Sequence, residues 1–174
     1  MEEVNPLVTY GLLAAWALHD TEELLAAPRW VRENVPHLRE RFPGAPESLW
    51  RTMESVNARE FTVAVGAMAA VVGAAATAGA RSGGRSGFYQ AALNGFGLHG
   101  LVHLAQAALV RGYTPGSATS PLIVLPFTLW ARGRLRTAGV LRPARTRDVL
   151  TGLTTAAGAV IVSHAVARKV TGGR

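Results

Sequence analysis

Phe61 to Ala80 is an uncharged run of twenty residues between Glu60 and Arg81, rich in Ala, Val and Gly. A surface helix of a soluble protein shows a polar residue every third or fourth position, and this run has no such stripe. About 20 apolar helical residues cross a hydrocarbon core roughly 30 Å thick. Small side chains also let helix backbones approach closely inside a bilayer. The run therefore predicts a membrane-spanning helix.

The same reading marks spans at about 6–27, 60–80, 88–110, 117–131 and 149–167. The fourth is short and carries Pro121 and Pro126, so it crosses only if its helix begins near Thr114–Thr119. The charged stretch 28–59, with scattered apolar residues such as Trp30 and Trp50, predicts one or two short interfacial helices broken at Pro36, Pro43 and Pro46. The segments "RSGGRSG" and "RGYTPGSATSP" read as plain turns, and Arg132–Arg147 as a basic loop. The expected fold is all-α. It is an integral membrane bundle of four to five transmembrane helices, one domain over residues 1–174, with a short interfacial helical segment after the first span. The expected place is the inner (cytoplasmic) membrane, as a multi-pass protein.

Composition agrees and excludes alternatives. Hydrophobic residues make up 49% and charged residues 17%, yet the net charge is +7. The arginines lie between the apolar segments, the pattern of loops flanking spans, and no aromatic-interleaved basic motif is present. Nucleic acid is therefore not an expected partner. Basic residues fall almost equally on the two sides, so their count does not fix the orientation. The absence of cysteine removes disulfides, thiolate zinc sites, iron–sulfur clusters and cysteine nucleophiles together. "MEEVNP" lacks the positive n-region of a signal peptide, so the first apolar segment is expected to stay in the mature chain.

That first segment holds an anomaly. His19, Asp20, Glu22 and Glu23 sit inside it, and a charged side chain at the centre of a bilayer costs about 3 kcal/mol on insertion scales. His19, Glu22 and Glu23 are spaced i, i+3, i+4 and share a helical face with Trp16, with Asp20 at its edge. An imidazole and two carboxylates on one face form an array of metal ligands. An intramembrane salt bridge or a snorkelling helix end is the plainer alternative, but snorkelling suits Lys and Arg better.

Partners follow downstream. "NARE" sets Asn57 and Glu60 one turn apart, and "HGLVH" sets His99 and His103 at i and i+4, with Gln106 continuing that face. Paired histidines on one turn are a common metal-binding spacing. His164 in the fifth segment is a further ligand candidate, although a lone histidine is more often structural; His37 is assigned no role. Asp20, Asn57 and Gln106 are expected to hydrogen-bond to ligands rather than to be ligands. Threading the spans alternately through a bilayer brings the polar groups of four helices into one slab near one surface. A single buried site requires that; hydrophobic periodicity does not.

"HDTEE", "NARE" and "HGLVH", in that order between about Leu7 and Pro126, resemble the bacterial family of uncharacterised membrane proteins named for its HXXEE motif. The resemblance implies a small integral membrane protein suspected of being an enzyme, with His19, Glu22, Glu23, Asn57, Glu60, His99 and His103 at the motif positions. Asp20 and His164 are outside that pattern.

His19, Glu22, Glu23, Glu60, His99, His103 and His164 together exceed what one zinc needs and suit two ions. The leading expectation is a dinuclear non-haem iron or manganese centre that oxidises a lipid- or isoprenoid-like substrate, with a possible redox partner. Glu22, Glu23 and Glu60 carry the proton chemistry. The rival is a zinc-dependent hydrolase with one of those glutamates as general base. A proton or cation transporter is the third reading.

Overall fold

Asn5 opens the first helix. Its side chain accepts the Leu7 N–H at 2.8 Å, and Pro6 occupies the first turn, where a missing N–H costs nothing. The computed structural model describes residues 4–55 and 57–143, together with Lys169. Five α-helices follow in order: α1 (Pro6–Arg41), α2 (Glu47–Glu54), α3 (Ala58–Arg81), α4 (Gly87–Val110) and α5 (Leu125–Thr137). A π-helical turn, Ser120–Val124, runs directly into α5. No strand occurs among the described residues, which are all-helical as expected. The segment 149–167 and His164 lie outside the described residues.

Two local expectations change. The helix break predicted at Pro36 does not occur: α1 passes both Pro28 and Pro36 and ends only after Arg41, before Pro43 and Pro46. An internal proline removes a ladder hydrogen bond and costs about 3 kcal/mol. Tertiary contacts on the same stretch offset that cost. Val35 is buried, Trp30 donates its indole N–H to the Tyr113 carbonyl at 2.7 Å, and Arg41 reaches the Val110 carbonyl at 2.6 Å. Arg41 thereby satisfies a carbonyl that the end of α4 leaves open. The basic loop expected from Arg132 is helical through Thr137. Ala131 and Leu135 anchor it with fully buried side chains, and arginines suit a helix C-terminus.

The core forms where α1, α4 and α5 meet, around Val8, Leu12, Leu93, Phe96, Val124 and Leu135, while α3 packs chiefly on α1. Gly97 and Gly100 give α4 its close approach to the last element. A Cβ at either would fall within 2.7 Å of Thr128 or 2.8 Å of Val124. At one end the Tyr89 hydroxyl donates to the Val8 carbonyl, and the Gln90 amide donates to Gly84 and Val140 carbonyls at 2.8 and 2.9 Å. This fixes α1 and α4 in register and parallel. From Val8 to His19 is about 16 Å of helix, and from Tyr89 to His99 and His103 about 15 and 21 Å, so His19 arrives at the level of the histidine turn of α4.

Among the described residues, α3 is the one helix long and apolar enough to cross a membrane by length and composition.

Candidate metal centre

The depth match becomes contact. His19, Glu23, His99 and His103 each offer a ligand atom, and the four atoms lie within 4.8 Å of one another. The rings meet edge-on, with centroids 5.0 Å apart for His19–His99 and His19–His103 and 4.3 Å for His99–His103. His103 Nε2 stands 2.9 Å from His99 Nε2 and 3.1 Å from Glu23 Oε1. His19 is fully buried, and the His103 side chain is 8% exposed, but that of His99 is 46% exposed. The group is therefore closed on the α1 side and open at His99.

The loop after α4 sets the tautomer of His19. Thr119 Oγ1 lies 2.6 Å from Glu22 Oε2 and 2.7 Å from His19 Nδ1. An ionised carboxylate only accepts, so the hydroxyl proton goes to Glu22 and the His19 Nδ1–H donates to Thr119. Nε2 is then the free nitrogen of the ring, and it is buried without a partner. A buried nitrogen lone pair left unpaired is costly unless something occupies it. An ordered carboxylate–hydroxyl–imidazole chain is the kind of support that orients a metal ligand.

Glu22 has a different task from its neighbour. It accepts from the Thr119 N–H at 2.8 Å, the Gly116 N–H at 3.1 Å, the Ala118 N–H at 3.3 Å and the Tyr113 hydroxyl at 2.8 Å, besides the Thr119 hydroxyl. Partial burial and the Glu22 carboxylate push the Tyr113 phenol up to about 12, so it remains a donor. Glu22 is therefore the anchor of the loop, and its oxygens are occupied. Expected as a ligand, it stands outside the four-residue group.

Gly116 is the roof. Its φ is +83°, and an added Cβ would stand 2.7 Å from His103 Cε1 and 2.9 Å from His19 Cε1. Only glycine combines that backbone conformation with contact to both rings. Ser120 fixes the roof through its hydroxyl, which donates to the Gly116 carbonyl at 2.7 Å. Reading "RGYTPGSATSP" as a plain turn missed these residues. The available signal was a cluster of Tyr, Thr, Ser and Gly donors one short step after the histidine helix.

The remaining predicted residues lie elsewhere. Asn57 is the N-cap of α3, accepting the Arg59 N–H at 2.8 Å, and Glu60 is the acid of that helix's first turn. Neither joins the four-residue group, nor does Gln106, which is exposed on α4. "NARE" is a helix-start pattern: a capping side chain followed three residues later by an acid near the positive end of the helix dipole. That accounts for it without a metal, and the ligand position expected of Glu60 and the supporting positions expected of Asn57 and Gln106 lie outside the group. Asp20 is buried beside the group, and its Oδ2 lacks a partner. His37 is exposed.

A helical chain with a His/Glu group between its first and fourth helices defines the class. Residues 10–131 match the family model described as a protein of unknown function with an HXXEE motif, and the chain belongs to that family. No curated protein and no solved structure matches it.

Proposed function

We propose that the chain is a membrane-embedded metalloenzyme in which His19, His99 and His103 hold one divalent ion, zinc, and Glu23 is the general base of a hydrolysis. The observation that carries this is the buried, unpartnered His19 Nε2, in a ring whose other nitrogen is fixed by Thr119 and Glu22. The donor set fits. Tetrahedral nitrogens about 2.1 Å from zinc stand roughly 3.4 Å from one another. The four donors lie within 4.8 Å, and the His99 and His103 nitrogens are 2.9 Å apart. Small ring rotations bring such a set to a common centre. Three imidazoles with a carboxylate at hand suit one ion that keeps a position for water. The dinuclear, oxidising expectation needs more carboxylates than the group contains, because Glu22 is occupied by the loop and Glu60 starts α3.

A bound divalent ion supplies Lewis acidity and makes water easier to deprotonate. The protein does the rest. Thr119 and Glu22 keep His19 in one tautomer. Gly116 and Ser120 close the roof against bulk water. Glu23 accepts the proton of the attacking water and returns it to the departing alcohol or amine, so an ester or amide becomes an acid and that leaving group. Substrate enters at His99, whose neighbours Leu98 and Val102 are exposed apolar residues. That edge suits a lipid-like ester or amide.

The membrane reading draws support from the surface. Leu7, Leu18, Leu25, Leu101, Leu109, Leu122 and Leu129 are all more than half exposed, and only 22% of the most apolar window of α3 is buried. Apolar faces of that extent mark a lipid or protein contact. On this reading α1, α3 and α4 cross the bilayer, the π-helical turn with the short α5 enters it, and α2 lies at its surface.

Metal analysis of protein purified without added metal tests the assignment. One zinc per chain is the expected result. Two irons or manganeses per chain would restore the dinuclear oxidase, and no retained metal would favour transport.

A further inference from the structure

Asp20 is the only buried carboxylate among the described residues, 7% exposed, and its Oδ2 has no hydrogen-bond partner. An acceptor left unpaired in the interior is costly, and a buried charge without a counter-charge is more so. The neighbouring helices offer that atom no donor. The buried residues of α3, which packs chiefly on α1, are Ala64, Val72, Ala75, Ala76 and Gly79. On α4 the buried His103 faces Glu23, and Tyr89 and Gln90 bond at the far end of the bundle.

Its position relative to the His/Glu group says what could pair with it. Asp20 follows His19 directly and precedes Glu23 by one turn, so its side chain leaves α1 about 100° around from that of His19. It lies beside the group without joining it. An ion held there by His19, His99 and His103 has three neutral ligands, and Glu23 offsets only one of its two charges. Glu22 is turned to the donors of the loop.

We propose that Asp20 is the second counter-charge of the ion, drawing a divalent cation into the group without touching it. Two carboxylates and a divalent ion leave the buried site neutral, the condition under which an apolar interior tolerates charge. The low effective dielectric there lets a carboxylate act on the ion from beyond ligand distance. The proposal rests on the metal reading above and adds to it a preference for divalent over monovalent ions. Coulomb attraction is proportional to the charge of the ion, so losing Asp20 should cost a divalent ion twice as much, on a logarithmic scale, as a monovalent one. A role in shaping the site would weaken both alike.

The test uses the full chain in neutral detergent, stripped of metal and titrated with zinc(II) or with silver(I), a monovalent ion that imidazoles also bind. Competition with a chelator gives the affinities, and thermal unfolding of the empty chain is the second readout. Asp20→Asn keeps the shape and removes the charge. It should weaken zinc about 10-fold and silver about 3-fold, and the empty variant should unfold at a temperature no lower than the empty unmodified chain. Asp20→Ser should show the same ratio between the two ions, which keeps the test open if the Asn variant folds poorly. Equal losses for zinc and silver, or a chain that folds with neither Asn nor Ser at position 20, would make Asp20 structural and overturn the proposal. Unchanged affinities in Asp20→Asn would remove this proposal alone, whereas an unmodified chain that binds no zinc would remove the metal reading together with it.

Discussion

His19–Glu23 on α1 and Asn57–Glu60 on α3 each set a polar side chain one turn from a carboxylate, but at different places in a helix. The α1 turn lies in mid-helix, where every backbone N–H already has its partner, so its polar side chains need an explanation from outside the helix. His99 and His103 on α4, and the loop 113–119, provide it. The α3 turn is a helix start, where unpaired N–H groups and the dipole by themselves favour Asn and Glu. The difference teaches that an acid in an apolar helix is informative in proportion to its distance from the N-terminus.

The largest effects should come from breaking the α1–α4 side. His103→Ala is expected to abolish metal retention, because it removes one of three imidazoles and leaves Glu23 without its 3.1 Å partner. Metal content measured beside circular dichroism separates this from unfolding. Full metal occupancy in a folded His103→Ala chain would remove α4 from the centre.

Smaller effects should follow from the loop. Thr119→Val keeps the shape but loses both the His19 and the Glu22 hydrogen bonds. Metal affinity should fall by about 10- to 100-fold, the usual cost of losing a partner behind a ligand. Thr119→Ser should recover most of it, which a purely steric role of the threonine would not give. If competition with a chelator finds the Val variant unchanged, Glu22 and Thr119 serve the loop alone.

These residues also measure how much was legible beforehand. The four members of the group were readable because their spacing puts them on two helical faces at matching depth. The helical class was readable from the apolar runs. Gly116, Tyr113 and Thr119 were not, because a loop has no periodicity and its hydrogen bonds to Glu22 run between residues more than ninety apart in sequence. The persistence of α1 through Pro36 was hidden for a similar reason: local proline chemistry argues for a break, and the contacts that oppose it belong to the end of α4. The Asn57–Glu60 pair was legible in a different sense. Its capping signature was present, but a carboxylate at the head of an apolar helix fits a metal ligand and a helix start equally well.

The smallest effects should come from the α3 turn, and they would be lost in the noise of a metal assay. Asn57→Ala removes the acceptor of the Arg59 N–H and should cost about 1 kcal/mol of stability. Glu60→Gln removes a negative charge near the positive end of α3 and should cost about 0.5 kcal/mol. Both should leave metal content and affinity at the level of the unmodified chain, since neither side chain joins the four-residue group. Adding salt should shrink the effect of Glu60→Gln, because a charge near a helix end is screened, and leave that of Asn57→Ala nearly intact. A Glu60→Gln chain that loses metal while keeping its stability would reverse the comparison. It would bring α3 to the ion, restore a third carboxylate to the chemistry, and make two ions again the better account of the site.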